Sequence, residues 1–297
     1  RSLSDPVAVA GLGVAPCAHG RPPATGAIRR EPEDFVVDEV LGFEPDGIGN
    51  HGLLVVGKRG ANTGWVAAQL ARHAGVAVRD VGFCGHKDRH ALTTQAYSLP
   101  LPALFDVAQC LEWQGDGYAV RAAYRHGRKL RPGSHRANRF ELRIRDLRGD
   151  RGTIEASLAA IREHGVPNYF GPQRFGREGS NLRRAVAWAG GAAGPRDRSQ
   201  RSFALSAARS YLFNAVLAAR VARGDWNRLL PGEAVMLDGR RSFFIAEPAD
   251  AALEARRVAM DVHPSGPLPG RGASPAAGPA RELEDSVVAP YADLAAL

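Results

Sequence analysis

The chain has 297 residues, 44% apolar and 24% charged, enough for two domains with sizeable cores, which excludes a disordered or collagen-like chain. No run approaches the ~18 uninterrupted apolar residues of a membrane helix, residues 1–16 do not read as a signal peptide, and Cys17, Cys84 and Cys110 lie too far apart for zinc spacing or a disulfide framework. The formal charge is +8, and of its 39 cationic side chains 36 are Arg and three are Lys: Lys58, Lys87 and Lys129.

Residues 1–25 read as a loose leader rich in Gly, Pro and Ala. DFVVDEVLGF (34–43) has the β-branched density of a strand, EPDGIGN (44–50) is a turn, and HGLLVVGKRG (51–60) reads as the returning strand of a hairpin. Asn62 and Thr63 offer caps for a helix in which Val66, Gln69, Leu70, His73 and Ala74 fall at helical spacing. Residues 78–101 read as a short apolar strand, a polar Gly-containing loop and a second strand.

ANRFELRIRDL (137–147) alternates as a strand, with Phe140, Leu142 and Ile144 on one face and Arg139, Glu141, Arg143 and Arg145 on the other. It belongs to a basic stretch, residues 121–148, with ten Arg or Lys against two acids. The remainder of the chain is neutral. One basic stripe on a neutral body suits a polyanion such as nucleic acid, and equally a solvated charge run.

Helices are expected over 154–165, 182–191 and 205–224, with a basic linker at 194–203 between the last two. VMLDGRRSFFIAE (235–247) reads as a hairpin on Asp238-Gly239. Residues 263–280, rich in Pro and Gly, read as a loop. The change from strands to helices puts a domain boundary near residue 160.

The chemistry concentrates in GFCGHKDRHALTTQ (82–95). Asp88 lies between Lys87 and Arg89, which favour its charged form and suit a carboxylate nucleophile or base. Taken alone, Asp88 reads more simply as a turn residue bonding its own backbone. His86, Asp88 and His90 do not make a metal site, because Lys87 and Arg89 repel a cation and no matching cluster follows.

GHKDRHALTTQ (85–95) resembles the catalytic motif of the TruD family of tRNA pseudouridine synthases. IRREPEDFVVDE (28–39) resembles that family's N-terminal motif, and GNHGLLVVGKRGANT (49–63) its next block. ANRFELRIRDL resembles its Asn-x-Phe strand. GVPNYFGPQRFGREGSN (165–181) and RSFALSAARSYLFN (201–214) resemble its long motifs. The matches follow family order.

The resemblance implies an enzyme that isomerises uridine to pseudouridine in tRNA, at position 13 in the bacterial branch, with no cofactor and no metal. It implies an α+β fold: a mainly antiparallel-sheet catalytic domain at 1–160 and a mixed α/β inserted domain at 161–297. The family's closing Tyr-Ala-Thr segment has no counterpart before Leu297, so the C-terminal return of the catalytic domain reads as missing. By the same resemblance, Asp88 is the catalytic carboxylate, attacking C1′ or abstracting the C2′ proton. Phe140 presents its ring to the flipped uracil. Asn138 holds the uracil edge or the backbone around Asp88. Arg29 holds Asp88 or a phosphate, and Lys87 and Glu39 complete the substrate-binding set. Arg125, Arg128, Lys129, Arg131, Arg136 and Arg174 are candidate phosphate contacts. The expected partner is tRNA, with no membrane, and the expected state is a cytoplasmic monomer. A non-catalytic RNA-binding protein or tRNA chaperone is the first alternative, and a glycosylase or nuclease the second.

Overall fold

The computed structural model describes residues 15–240, 242–246, 250–270 and 272–297. Residues 1–14 of the expected leader, residues 241 and 247 of the expected hairpin and residue 271 of the expected loop lie outside the described residues. The chain divides into two compact units, Ala24–Asp150 and a second one of Arg1–Pro23 with Arg151–Leu297. The division at 150/151 precedes the expected boundary by ten residues. Position 160 falls within a helix, Arg151–His164, that belongs wholly to the second unit.

The first unit carries strands β1 (Ala24–Ala27), β2 (Phe35–Val40), β3 (His51–Arg59), β4 (Gly82–Phe83), β5 (Leu92–Pro100), β6 (Gln114–Gly115), β7 (Tyr118–His126), β8 (Ala137–Leu142) and β9 (Arg145–Gly149), and helix α1 (Thr63–Ala74). Its main sheet runs β6-β7-β3-β5-β2-β8, with β4 also paired to β5. All pairs are antiparallel except β2 with β5. The fold is therefore α+β with a largely antiparallel sheet.

The expected hairpin of 34–43 with 51–60 does not form. Leu53, Leu54 and Val56 of β3 are all buried, on both faces, which suits a central strand rather than a hairpin edge. β3 accordingly pairs with β5 and β7, and β5 separates it from β2. The strand expected over 137–147 is broken into β8 and β9, with Asp146 in the left-handed region (φ 48°). β8 pairs with β2, while β9 pairs with β1 in a separate two-stranded sheet.

The amphipathic spacing read in α1 buries Val66, Ala67, Leu70 and Ala71 against Leu54, Val56, Tyr97, Leu99 and Val120 of the sheet. Gly75 closes the helix at φ 68°, where a side chain would be strained. A smaller cluster of Leu53, Cys84, Ala96 and Leu130 forms separately.

The second unit holds α2 (Arg151–His164), α3 (Ser180–Ala189), α4 (Arg198–Arg223), β10 (Ala234–Leu237), β11 (Phe243–Ile245), α5 (Ala251–Val258), β12 (Val262–Pro264), α6 (Gly278–Val288) and α7 (Ala292–Ala295). The basic segment expected as a linker instead enters α4, because Asp197 accepts from the Gln200 amide at 2.8 Å and caps the helix early. Small residues Ala185, Ala204, Ala207 and Ala208 let α3 and α4 approach, with Phe175, Leu182, Leu212 and Leu294 filling the remaining space. The expected hairpin is present as β10–β11, and β12, which takes in the first two residues of the expected loop, pairs with the other edge of β10. Among the described residues no helix is long and apolar enough to cross a membrane.

Candidate active site

The loop between β4 and β5 presents Asp88 at the surface. Its backbone is held from below by buried side chains of three other elements. Gln95 of β5 donates from Nε2 to the Gly85 carbonyl at 2.5 Å. Thr63, at the start of α1, accepts from the Lys87 amide at 3.0 Å and donates to Gln95 Oε1 at 3.1 Å. The Tyr97 hydroxyl shares its one proton between Gln95 Oε1 at 3.2 Å and the Thr63 carbonyl at 3.3 Å. Burial pushes the Tyr97 phenol well above its ordinary range, so it remains a donor. A loop bonded at Gly85 and Lys87 by groups that are themselves bonded loses little order when a substrate arrives.

Lys58 of β3 completes this support. It donates to the Ala61 carbonyl at 2.9 Å and to the Asp88 carbonyl at 3.0 Å. Burial lowers its pKa to about 8; the Asp88 carboxylate opposes that shift and Lys87 adds to it. The flanking cations do not pair with Asp88 as expected. Lys87 forms an ion pair with Glu39, the two side chains 5% and 1% exposed, and Arg89 donates to the Gly60 carbonyl at 3.1 Å. Glu39 also accepts from the Ala96 amide at 3.1 Å. Lys87 and Glu39 are thus committed to each other beneath the loop instead of lying open to a substrate.

Strand register aligns the other candidates. Lys58 faces Thr93, Thr93 faces Val37 and Val37 faces Phe140 across β3, β5, β2 and β8. Directly opposed residues share a face of the sheet, so this row runs about 14 Å from Lys58 to Phe140. Phe140 is 58% exposed. Its inner side meets the parallel Phe35 ring at 5.9 Å, and the Arg29 guanidinium lies 4.0 Å from the Phe35 ring centre. Arg29 therefore makes a cation–π contact, with its backbone at φ 56°. Asn138 faces Glu39 in the register and its Nδ2 meets His135 Nε2 at 3.1 Å, leaving Oδ1 buried without a partner among the described residues.

The basic residues divide. Arg125 was expected on phosphate, but it donates to the carbonyls of Pro102, Ala103 and Phe105 and, more weakly, of Gly49 and Leu101. It pins the 101–105 loop, and its donors face the protein's own backbone. Lys129 donates to the Arg79 carbonyl. Arg128, Arg131 and Arg136 are exposed. Arg174 belongs to the second unit, where it donates to Ser206 at 3.3 Å and lies over the Phe170 ring. Arg145, expected on the basic face, instead grips the buried Asp34 with Nε 2.9 Å from both carboxylate oxygens.

Glu39, Cys84 and His135 bring ligand-type atoms within 4.8 Å of one another. The donor chemistry does not suit a cation. Glu39 is already paired with Lys87, and burial raises the Cys84 thiol pKa, keeping its proton on.

The family model described as tRNA pseudouridine synthase D matches residues 12–186 and 191–292. The chain belongs to that family. The tRNA pseudouridine synthase D of Nitrosococcus oceani is 49% identical over 274 residues, covering 92% of this chain and 76% of that protein. Its counterpart in Methylococcus capsulatus is 47% identical over 284 residues, covering 94% and 78%. A crystal structure of the putative tRNA pseudouridine synthase D of Methanosarcina mazei superposes with a TM-score of 0.76 over 97% of this chain and 82% of that one, at 20% identity, and shares the fold.

Proposed function

We propose that this chain carries out its family's reaction, isomerising uridine to pseudouridine in tRNA at position 13, with Asp88 as the catalytic carboxylate. In that isomerisation the N1–C1′ bond breaks and a C5–C1′ bond forms. The hydrogen on C5 is lost and N1 gains one, so mass and chain length are unchanged. The carboxylate acts on the ribose, attacking C1′ or removing the C2′ proton. While detached, the uracil needs a flat apolar surface, and the exposed Phe140 ring supplies one, backed by Phe35. Asn138 is assigned to the uracil edge, and Arg128, Arg131, Arg136 and Arg174 to phosphates.

The observation that supports this reading is the row from Lys58 to Phe140. It carries the support of the Asp88 loop at one end and an exposed aromatic ring at the other. The reaction is redox-neutral and hydrolyses nothing, which fits an enzyme acting without cofactor or metal. We assign it to the cytoplasm, where its tRNA substrate is, and to a monomer.

The test is incubation of the protein with a tRNA transcript tritiated at uracil C5. The reading predicts tritium release and a pseudouridine mapped at position 13. Free uracil would indicate a glycosylase and a shortened strand a nuclease. Binding without any product would indicate an RNA-binding protein or chaperone.

A further inference from the structure

Lys58 is 1% exposed. Both acceptors of its ammonium are backbone carbonyls, of Ala61 and Asp88, rather than carboxylates. A buried ammonium without a carboxylate partner is costly, as the downward pull of burial on its pKa records. The chain carries 36 Arg and three Lys. A planar guanidinium needs more room than the compact ammonium that lies between these two carbonyls.

The loop has other anchors. Gln95 holds Gly85, Thr63 holds the Lys87 amide, and Arg89 reaches Gly60. Each of these acts on a neighbour of Asp88. Lys58 alone among these four contacts acts on Asp88 itself, fixing the peptide group from which the carboxylate projects. We propose that Lys58 is a positioning residue for Asp88, tying the Asp88 and Ala61 carbonyls together beneath the loop so that the carboxylate is held where the ribose is attacked. The proposal rests on Asp88 being the catalytic carboxylate.

Three observations motivate the choice of readout. Asp88 is exposed, so a freed peptide gives its side chain room to swing. The remaining anchors keep the loop folded. The residues assigned to phosphates, Arg128, Arg131, Arg136 and Arg174, lie on other segments, so tRNA affinity is expected to be independent of Lys58. Lys58→Met and Lys58→Ala are compared with the parent protein by thermal melting, tRNA filter binding and single-turnover pseudouridine formation. Both variants melt cooperatively and bind tRNA as the parent does. Their single-turnover rate falls about 100-fold, the cost of displacing a reacting group by about 1 Å. Ethylammonium, which refills the cavity with a donor, restores much of the rate to Lys58→Ala and none to Lys58→Met, whose cavity is filled.

Full-rate turnover by either variant overturns the proposal, as does a loss of rate matched by an equal loss of tRNA affinity. If neither variant folds, Lys58→Gln replaces them, because it keeps most of the volume while its amide, one atom shorter than the ammonium, does not reach both carbonyls. The proposal then requires a folded, tRNA-binding, slow enzyme, and a full-rate Lys58→Gln overturns it. Asp88→Asn is assayed alongside. An active Asp88→Asn removes the reading on which the proposal rests. An inactive Asp88→Asn with a fully active Lys58→Met removes the proposal alone.

Discussion

Phe35 and Phe140 lie parallel, their ring centres 5.9 Å apart, on the neighbouring strands β2 and β8. One face of Phe140 is covered by that contact, and 58% of the residue remains exposed. A core Phe costs about 3–5 kcal/mol when truncated, but an exposed ring costs far less. Phe140→Ala is therefore expected to melt within a few degrees of the parent. Base–aromatic stacking is worth roughly 1–3 kcal/mol, so the rate of pseudouridine formation falls by about 5- to 150-fold. Tyr rescues better than Leu. Early melting of Phe140→Ala, with full activity in its folded fraction, would assign the ring to packing.

Asp34 and Arg145 make a pH-dependent tie between β2's entry and β9. The hydrogen bond from Arg145 holds the Asp34 carboxyl below its ordinary range, although burial opposes the shift. A depressed folded-state pKa gives stability that is full above the unfolded value, about 3.9, and lost as pH falls through the lowered value. Asp34→Asn is thus expected to lower Tm at pH 7 and to converge on the parent under acid. An equal Tm deficit at both pH values would contradict this.

Arg125 and Arg128 are three residues apart and are expected to behave differently. Arg125→Ala leaves several carbonyls without a charged donor and costs roughly 2 kcal/mol of stability, with no change in the salt dependence of tRNA binding. Arg128→Ala, at an exposed position, leaves Tm unchanged and flattens the log–log salt slope by about one unit. Salt titrations of both variants separate them. The reverse pattern would exchange their roles.

The motif loop was legible because its chemistry is local: Gly85, His86, Lys87, Asp88 and Arg89 are contiguous, and α1 declared itself through the helical spacing of Val66, Gln69, Leu70, His73 and Ala74. The support of that loop was not legible. Lys58 ends a run of apolar strand residues, where a Lys reads as a solvated tip, and its partners are carbonyls that no side-chain pattern encodes. The available signal was scarcity: of three Lys among so many Arg, Lys58 bonds the Asp88 carbonyl and Lys87, the residue before Asp88, pairs with the buried side chain of Glu39. Arg125 was misread for the converse reason, because a guanidinium bound to backbone and one bound to phosphate look alike in sequence. The false hairpin reflects non-local pairing: β5 enters between β2 and β3 after 32 intervening residues past the end of β3.

The account centres on Asp88 as the group that acts on the ribose. Its most direct test is Asp88→Asn assayed by single-turnover pseudouridine formation, with tRNA affinity and melting followed on the same preparation. An amide has neither the nucleophilicity nor the basicity of a carboxylate, yet it fills the same volume on an exposed loop. The account predicts parental Tm, parental tRNA affinity and no detectable pseudouridine. Product formation at a near-parental rate by the purified variant would contradict it.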